Sequence, residues 1–90
     1  MVFNIRLHPD AFKFLKGLDE DTRNRIKSTL RSLEDDPFKN RSKADIKKLK
    51  GTKGREDLYR LRIGDYRAVY AVEGDAVLVT EIFLRGKGYK

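Results

Sequence analysis

The pattern of apolar residues points to an α+β fold: an N-terminal strand, a two-helix hairpin and then a mostly antiparallel, twisted sheet, in the order β-α-α-β-β-β-β. Three features of the sequence support this. Residues 2–7 alternate, the next stretch carries two apolar stripes at helical spacing, and the last third holds three β-rich runs joined by two Gly-Asp pairs. At 90 residues the chain buries only roughly 60% of its unfolded surface, so residues 1–90 are expected to form a single domain around one core.

In the first strand, Phe3, Ile5 and Leu7 fall on one side and Val2, Asn4 and Arg6 on the other. Pro9 suits a first helical turn, and Ala11, Phe14, Leu15 and Leu18 then follow the i, i+3, i+4, i+7 template. Gly17 weakens that helix. Asp19, Glu20 and Asp21 place carboxylates at the positive end of a second helix, whose buried stripe is Ile26, Leu30 and Leu33 and which Pro37 stops. His8, the only imidazole, stands before Pro9 at the strand-to-helix junction, where capping or packing is its expected role.

From Lys39 to Arg55 there are eight basic residues (Lys39, Arg41, Lys43, Lys47, Lys48, Lys50, Lys53 and Arg55) and a single acid, Asp45. That surplus equals the net charge of the whole chain, +7. Within it, Ile46–Lys50 can form a short strand, and Gly51 and Gly54 mark a loop. Such a charge balance calls for an anionic partner, nucleic acid or an acidic protein.

The remaining strands are expected at Leu58–Ile63, Tyr66–Val72 and Ala76–Leu84, each junction being a two-residue Gly-Asp turn. If Gly64 and Asp65 are the turn residues, Ile63 faces Tyr66 and Arg62 faces Arg67. One face then holds Tyr59, Leu61, Ile63, Tyr66, Ala68, Tyr70 and Val72, to pack under the helices. The other holds Arg60, Arg62 and Arg67. Like charges directly opposite one another destabilise a sheet by up to roughly 1 kcal/mol, whereas planar guanidinium groups suit phosphate oxygens and the charge of a phosphoryl transition state. The alternation also puts Leu58, Val69, Ala71, Leu78, Ile82 and Leu84 on the arginine face, an apolar strip fit for an acidic amphipathic helix. The tail, from Arg85 through Lys87 to Tyr89, is expected to end beside the arginines, with Tyr89 offering a ring for stacking and a phenol for proton transfer.

The chain has no Cys, so a disulfide framework, a thiolate zinc site and a cysteine nucleophile are excluded. Glu34, Asp35 and Asp36 are consecutive and point in different directions, so no metal site is expected there. No apolar run approaches the about 18 residues needed to cross a bilayer, and residues 1–7 lack the basic start of a signal peptide. The expected setting is the cytoplasm, with no membrane partner.

The order of elements, Lys48-Leu49-Lys50-Gly51, the run Leu58-Tyr59-Arg60-Leu61-Arg62-Ile63-Gly64-Asp65-Tyr66-Arg67-Ala68-Val69-Tyr70 and the closing Arg85 to Tyr89 together resemble RelE toxins of the RelE/ParE superfamily, the archaeal members in particular. The resemblance implies a RelE-like fold. It implies the toxin of a type II toxin-antitoxin system, a ribosome-dependent endoribonuclease that cuts mRNA in the decoding site by attack of a ribose 2′-hydroxyl, with neither metal nor cofactor. It also implies an acidic, helical RelB-like antitoxin, bound in a higher-order heteromer. Arg60, Arg62, Arg67, Arg85 and Tyr89 match the family's catalytic positions, and Lys47, Lys48, Lys50, Lys53 and Lys87 would grip RNA. Well-known bacterial relatives carry lysines at the positions of Arg60 and Arg62. Arginine does not give up its proton, so these two can stabilise charge but not act as acid or base, leaving proton transfer to Tyr89, Lys87 or ribosomal RNA. Two other functions fit the same residues: a ParE-like inhibitor of DNA gyrase, and a non-catalytic RNA-binding module.

Overall fold

The computed structural model describes residues 2–42, 44–49 and 58–86. Strand β1 (Asn4–Leu7) is followed by helices α1 (Pro9–Lys16) and α2 (Glu20–Arg31), a 3₁₀ turn at Ser32–Glu34, and strands β2 (Asp45–Leu49), β3 (Leu58–Ile63), β4 (Tyr66–Glu73) and β5 (Ala76–Leu84). The strands form one sheet in the order β1-β5-β4-β3-β2. β1 runs parallel to β5 and every other pair is antiparallel. This is the α+β architecture expected from the sequence.

Local chemistry sets the helix ends. His8 Nδ1 accepts a hydrogen bond from the Asp10 N–H at 3.0 Å, capping α1 as expected. Asp19 caps α2 by accepting from Thr22 N–H at 3.1 Å, and hydrogen bonds from Thr22 hold its carboxyl below the usual carboxylate range. Lys13 and Lys16 sit in the last turn of α1 and Glu20 and Asp21 in the first turn of α2, each complementing the helix dipole. Leu33 is buried as its place in the stripe requires, although the 3₁₀ turn and not α2 carries it.

The core lies between the helices and one face of the sheet. Leu15, Ile26, Leu33, Leu61, Tyr70, Val77 and Val79 are essentially removed from solvent, each apolar side chain worth about 1.5–3 kcal/mol. Tyr70 needs a partner for its hydroxyl and donates it to the Pro37 carbonyl at 2.7 Å, while burial pushes its phenol pKa far up. Its ring stacks on Tyr59 with centroids 5.6 Å apart, and Phe38 meets Tyr59 edge-on.

Both Gly-Asp pairs form the expected two-residue turns, joining Ile63 to Tyr66 and Glu73 to Ala76. Gly64 and Gly74 have φ of 58° and 60°, and no other residue type takes positive φ among the described residues, the pattern of a type II′ turn. Strand β2 begins one residue earlier than expected, at Asp45, and Lys50 lies outside the described residues.

The alternation fails in β5. Val79 pairs with Tyr70 but Glu81 pairs with Val69, so Thr80 is an extra residue, a β-bulge, and its hydroxyl donates to the Val69 carbonyl at 3.2 Å. Beyond it every side chain changes face. Ile82 and Leu84, expected on the arginine face, instead lie opposite Ala68 and Tyr66 on the helix face, and Ile82 is a core residue. Phe83, opposite Arg67, takes their place on the arginine face.

Candidate functional site

The arginine face is built by counting from the Gly64-Asp65 turn. Arg62 and Arg67 stand directly opposite one another, and Arg60 lies two residues further along β3, opposite Val69. Arg67 is held in place by its own strand end, Nη1 donating to the Gly64 carbonyl at 3.0 Å and to the Tyr66 carbonyl at 2.9 Å. Arg85 reaches the same turn, its N–H donating to the Asp65 carbonyl at 2.7 Å. Four arginines from three strands or their ends thus surround one end of the sheet.

Their proximity has an electrostatic signature. Arg67's pKa is lowered from its ordinary value, first by desolvation and then by repulsion from Arg62, Arg60 and Arg85, with Asp45 opposing. Arginine remains charged at any relevant pH, so the repulsion is stored as positive potential. An anion placed here relieves it.

Asp45 is a site residue that reading the sequence missed. It begins β2 opposite Arg62, with Oδ1 3.9 Å from Arg60 Nη2 and Oδ2 3.9 Å from Arg62 Nη1. At that length and half exposed, such pairs contribute about 0–1 kcal/mol, so an incoming phosphate can compete with the carboxylate. Arg60 Nε is buried with no hydrogen-bond partner among the described residues, a donor left for a rearranged site to use. The β2-β3 register would have found Asp45, but the connection between these strands is too long for counting to fix it.

The lysines part company. Lys47 pairs with Arg60 and so shares the arginine face, whereas Lys48 pairs with Tyr59 and belongs to the helix side. Arg41, counted in the basic segment, is occupied by the fold: its guanidinium donates to the carbonyls of Asp36, Lys39 and Ser32 at 2.8–2.9 Å. Lys50, Lys53, Lys87 and Tyr89 lie outside the described residues. Leu49, the last residue of β2, pairs with Leu58 at the end remote from the Gly64-Asp65 turn. The apolar strip beside the arginines consists of Leu58, Val69, Ala71, Leu78 and Phe83, of which Val69 and Ala71 are buried.

Among the described residues no three His, Asp or Glu side chains converge as a metal-ligand set, and no helix is long and apolar enough to cross a membrane.

The family model for the ParE toxin of type II toxin-antitoxin systems, parDE, matches residues 5–89. The chain belongs to this RelE/ParE family of toxins, on the side of its archaeal RelE members. RelE1 of Methanocaldococcus jannaschii, a candidate toxin, is 34% identical in an alignment covering 100% of this chain and 98% of the relative. Toxin RelE3 of the same organism is 34% identical over 86% of this chain and 84% of its own length. The RelE-RelB complex from Pyrococcus horikoshii OT3 contains a chain of the same fold, with a TM-score of 0.80 and 33% identity, covering 98% of this chain and all of that one.

Proposed function

We propose that this toxin is a ribosome-dependent endoribonuclease that cuts mRNA in the decoding site and acts in the cytoplasm. The observation that carries the proposal is the convergence of Arg60, Arg62, Arg67 and Arg85 at one end of one sheet face, around a single turn. In the reaction a ribose 2′-oxygen bonds to the adjacent phosphorus, the bond from phosphorus to the 5′-oxygen breaks, and a 2′,3′-cyclic phosphate and a 5′-hydroxyl result. Arg67, with Arg62 and Arg85, stabilises the extra negative charge on the phosphorane oxygens. The 2′-hydroxyl proton needs an acceptor, which no arginine can be. This reading assigns that role to Asp45, supported by its carboxylate lying beside Arg60 and Arg62, and not to the tail or the ribosome. Tyr89 or Lys87 then supplies a proton to the departing 5′-oxygen, and Tyr89 stacks on a base. Lys47 extends the phosphate grip on the same face, while Lys48, Lys50 and Lys53 contact ribosomal RNA elsewhere. The ribosome's share is to hold the 2′-hydroxyl in line with the phosphate.

The antitoxin in this reading is RelB-like, an acidic amphipathic helix that covers Leu58, Leu78 and Phe83 and neutralises the arginines, in a higher-order complex. Its support is the apolar strip beside the basic site and the RelE-RelB composition of the Pyrococcus complex.

A second reading, inhibition of DNA gyrase, is favoured by the ParE family model. A cell-free translation reaction with a defined mRNA separates the two, with new RNA 5′ ends mapped by primer extension. Cuts inside translated codons that require ribosomes support the nuclease. Intact mRNA together with loss of gyrase supercoiling activity would replace it with the inhibitor.

A further inference from the structure

The Gly64-Asp65 turn is approached from the helix side as well as from the sheet. Ile26 of α2 is fully buried, and its neighbour Arg25 projects from the edge of that buried stripe and is exposed. Its guanidinium lies on the turn: a Cβ added to Gly64 would stand 3.5 Å from Arg25 Nη2 and 3.9 Å from Cζ. The same two turn residues accept hydrogen bonds from Arg67 Nη1 and from the Arg85 N–H. Arginines from α2, β4 and the end of β5 therefore meet at one turn, beside Arg62. Arg25 has no carboxylate within ion-pair distance among the described residues, although Asp65 belongs to the turn it covers. A purely structural arginine in that position would be expected to close on that acid.

From this geometry we infer that Arg25 is a binding residue of the same site, holding an RNA backbone phosphate next to the one gripped by Arg67 and Arg85. The RNA strand then leaves the arginine face over the Gly64-Asp65 turn and runs onto the N-terminal half of α2. Glycine at position 64 supplies the positive φ of the turn on which the guanidinium lies. The inference rests on the arginine face being an RNA phosphate site. It adds a contact from an element that sequence spacing gives no reason to include.

The test is the salt dependence of binding to a short, fluorescein-labelled, single-stranded oligoribonucleotide carrying 2′-O-methyl groups, which 2′-hydroxyl attack cannot cut. Each lost phosphate contact lowers the slope of log K against log salt by about 0.7 and weakens binding roughly fivefold at about 0.1 M salt. Arg25→Gln, which keeps the packing of the stem, is expected to show both changes with an unaltered melting curve. Arg25→Lys keeps the charge and is expected to restore the slope. If Arg67→Ala lowers the slope and Arg25→Gln does not, the Arg25 contact is refuted while the phosphate site stands. If neither variant changes it, the site reading itself falls and Arg25 with it. Unchanged RNA binding with weakened capture of an acidic peptide by Arg25→Gln would transfer the residue to a protein partner and overturn the RNA path.

Discussion

Strand β4 is bounded by two turns of the same sequence, Gly64-Asp65 and Gly74-Asp75, with nearly the same glycine φ, 58° and 60°, yet their surroundings differ. At the first, Arg67 and Arg85 hydrogen-bond to the turn and Arg25 covers it. At the second, a Cβ on Gly74 would meet nothing within 4 Å, and the outside contact is the Asn4 N–H donating to the Asp75 carbonyl at 2.7 Å, which closes the sheet against β1. The fold is secured near the Gly74 end too, where Tyr70 reaches Pro37 and Phe3 meets Phe38. The same local chemistry thus sets register at both ends, and the neighbours alone make one end the candidate site and the other a fastening.

The largest expected effect comes from removing charge at the first end. Arg67→Ala should lower ribosome-dependent cleavage by about 100-fold or more, the usual cost of losing one donor aimed at transition-state charge. Stability should change by no more than about 0.5 kcal/mol, as for a surface substitution. Primer-extension rates and thermal melts measured together check both halves. Asp45→Asn should remove the base while keeping the shape, lowering the cleavage rate by about 100-fold; an unchanged rate would return the proton to the tail or the ribosome.

The opposite division is expected at the fastening end. Tyr70→Phe leaves the Pro37 carbonyl without its buried donor, costing about 1–3 kcal/mol, and each kcal/mol lowers the melting temperature by roughly 4–8 °C. Cleavage below the melting range should be unaffected. The smallest effect concerns Asp36, whose carboxylate accepts hydrogen bonds from the Phe38 and Lys39 N–H groups and is held below its ordinary pKa, chiefly by the first. A carboxylate with a depressed folded-state pKa contributes stability above its unfolded value, and that contribution is lost as pH falls through the depressed value. Below about pH 4, the ordinary carboxylate range, Asp36→Ala should therefore unfold with a shallower acid slope than the wild type, measured by circular dichroism.

Much of this arrangement was legible in the sequence, for reasons that also explain the failures. A two-residue turn leaves no freedom in register, so Arg62 opposite Arg67 and the arrival of the chain end near the Gly64-Asp65 turn follow from counting, whereas it is the bulge that brings Arg85 and not Leu84 to Asp65. The bulge at Thr80 left no trace: Val79-Thr80-Glu81-Ile82 has no Gly or Pro to mark it, so Ile82 and Leu84 were assigned to the wrong face. Asp45 stayed hidden because a long connection separates it from Arg62 and Arg60. Lys47 and Lys48 look equivalent as neighbours in a basic run, but a strand sends them to opposite faces. Arg25 is set by helix packing against a turn, which no periodicity records.

The comparison of the two turns is tested most directly by Gly64→Ala and Gly74→Ala, assayed side by side for ribosome-dependent cleavage at a temperature where both are folded. Each substitution forces a side chain into positive φ, at about 1–2 kcal/mol, so the two should melt alike. Gly64→Ala is expected to lose cleavage, because Arg67, Arg85 and Arg25 all take their positions from that turn, while Gly74→Ala keeps it. Equal cleavage by the two folded variants would contradict the account, leaving the arginines independent of the turn that gathers them.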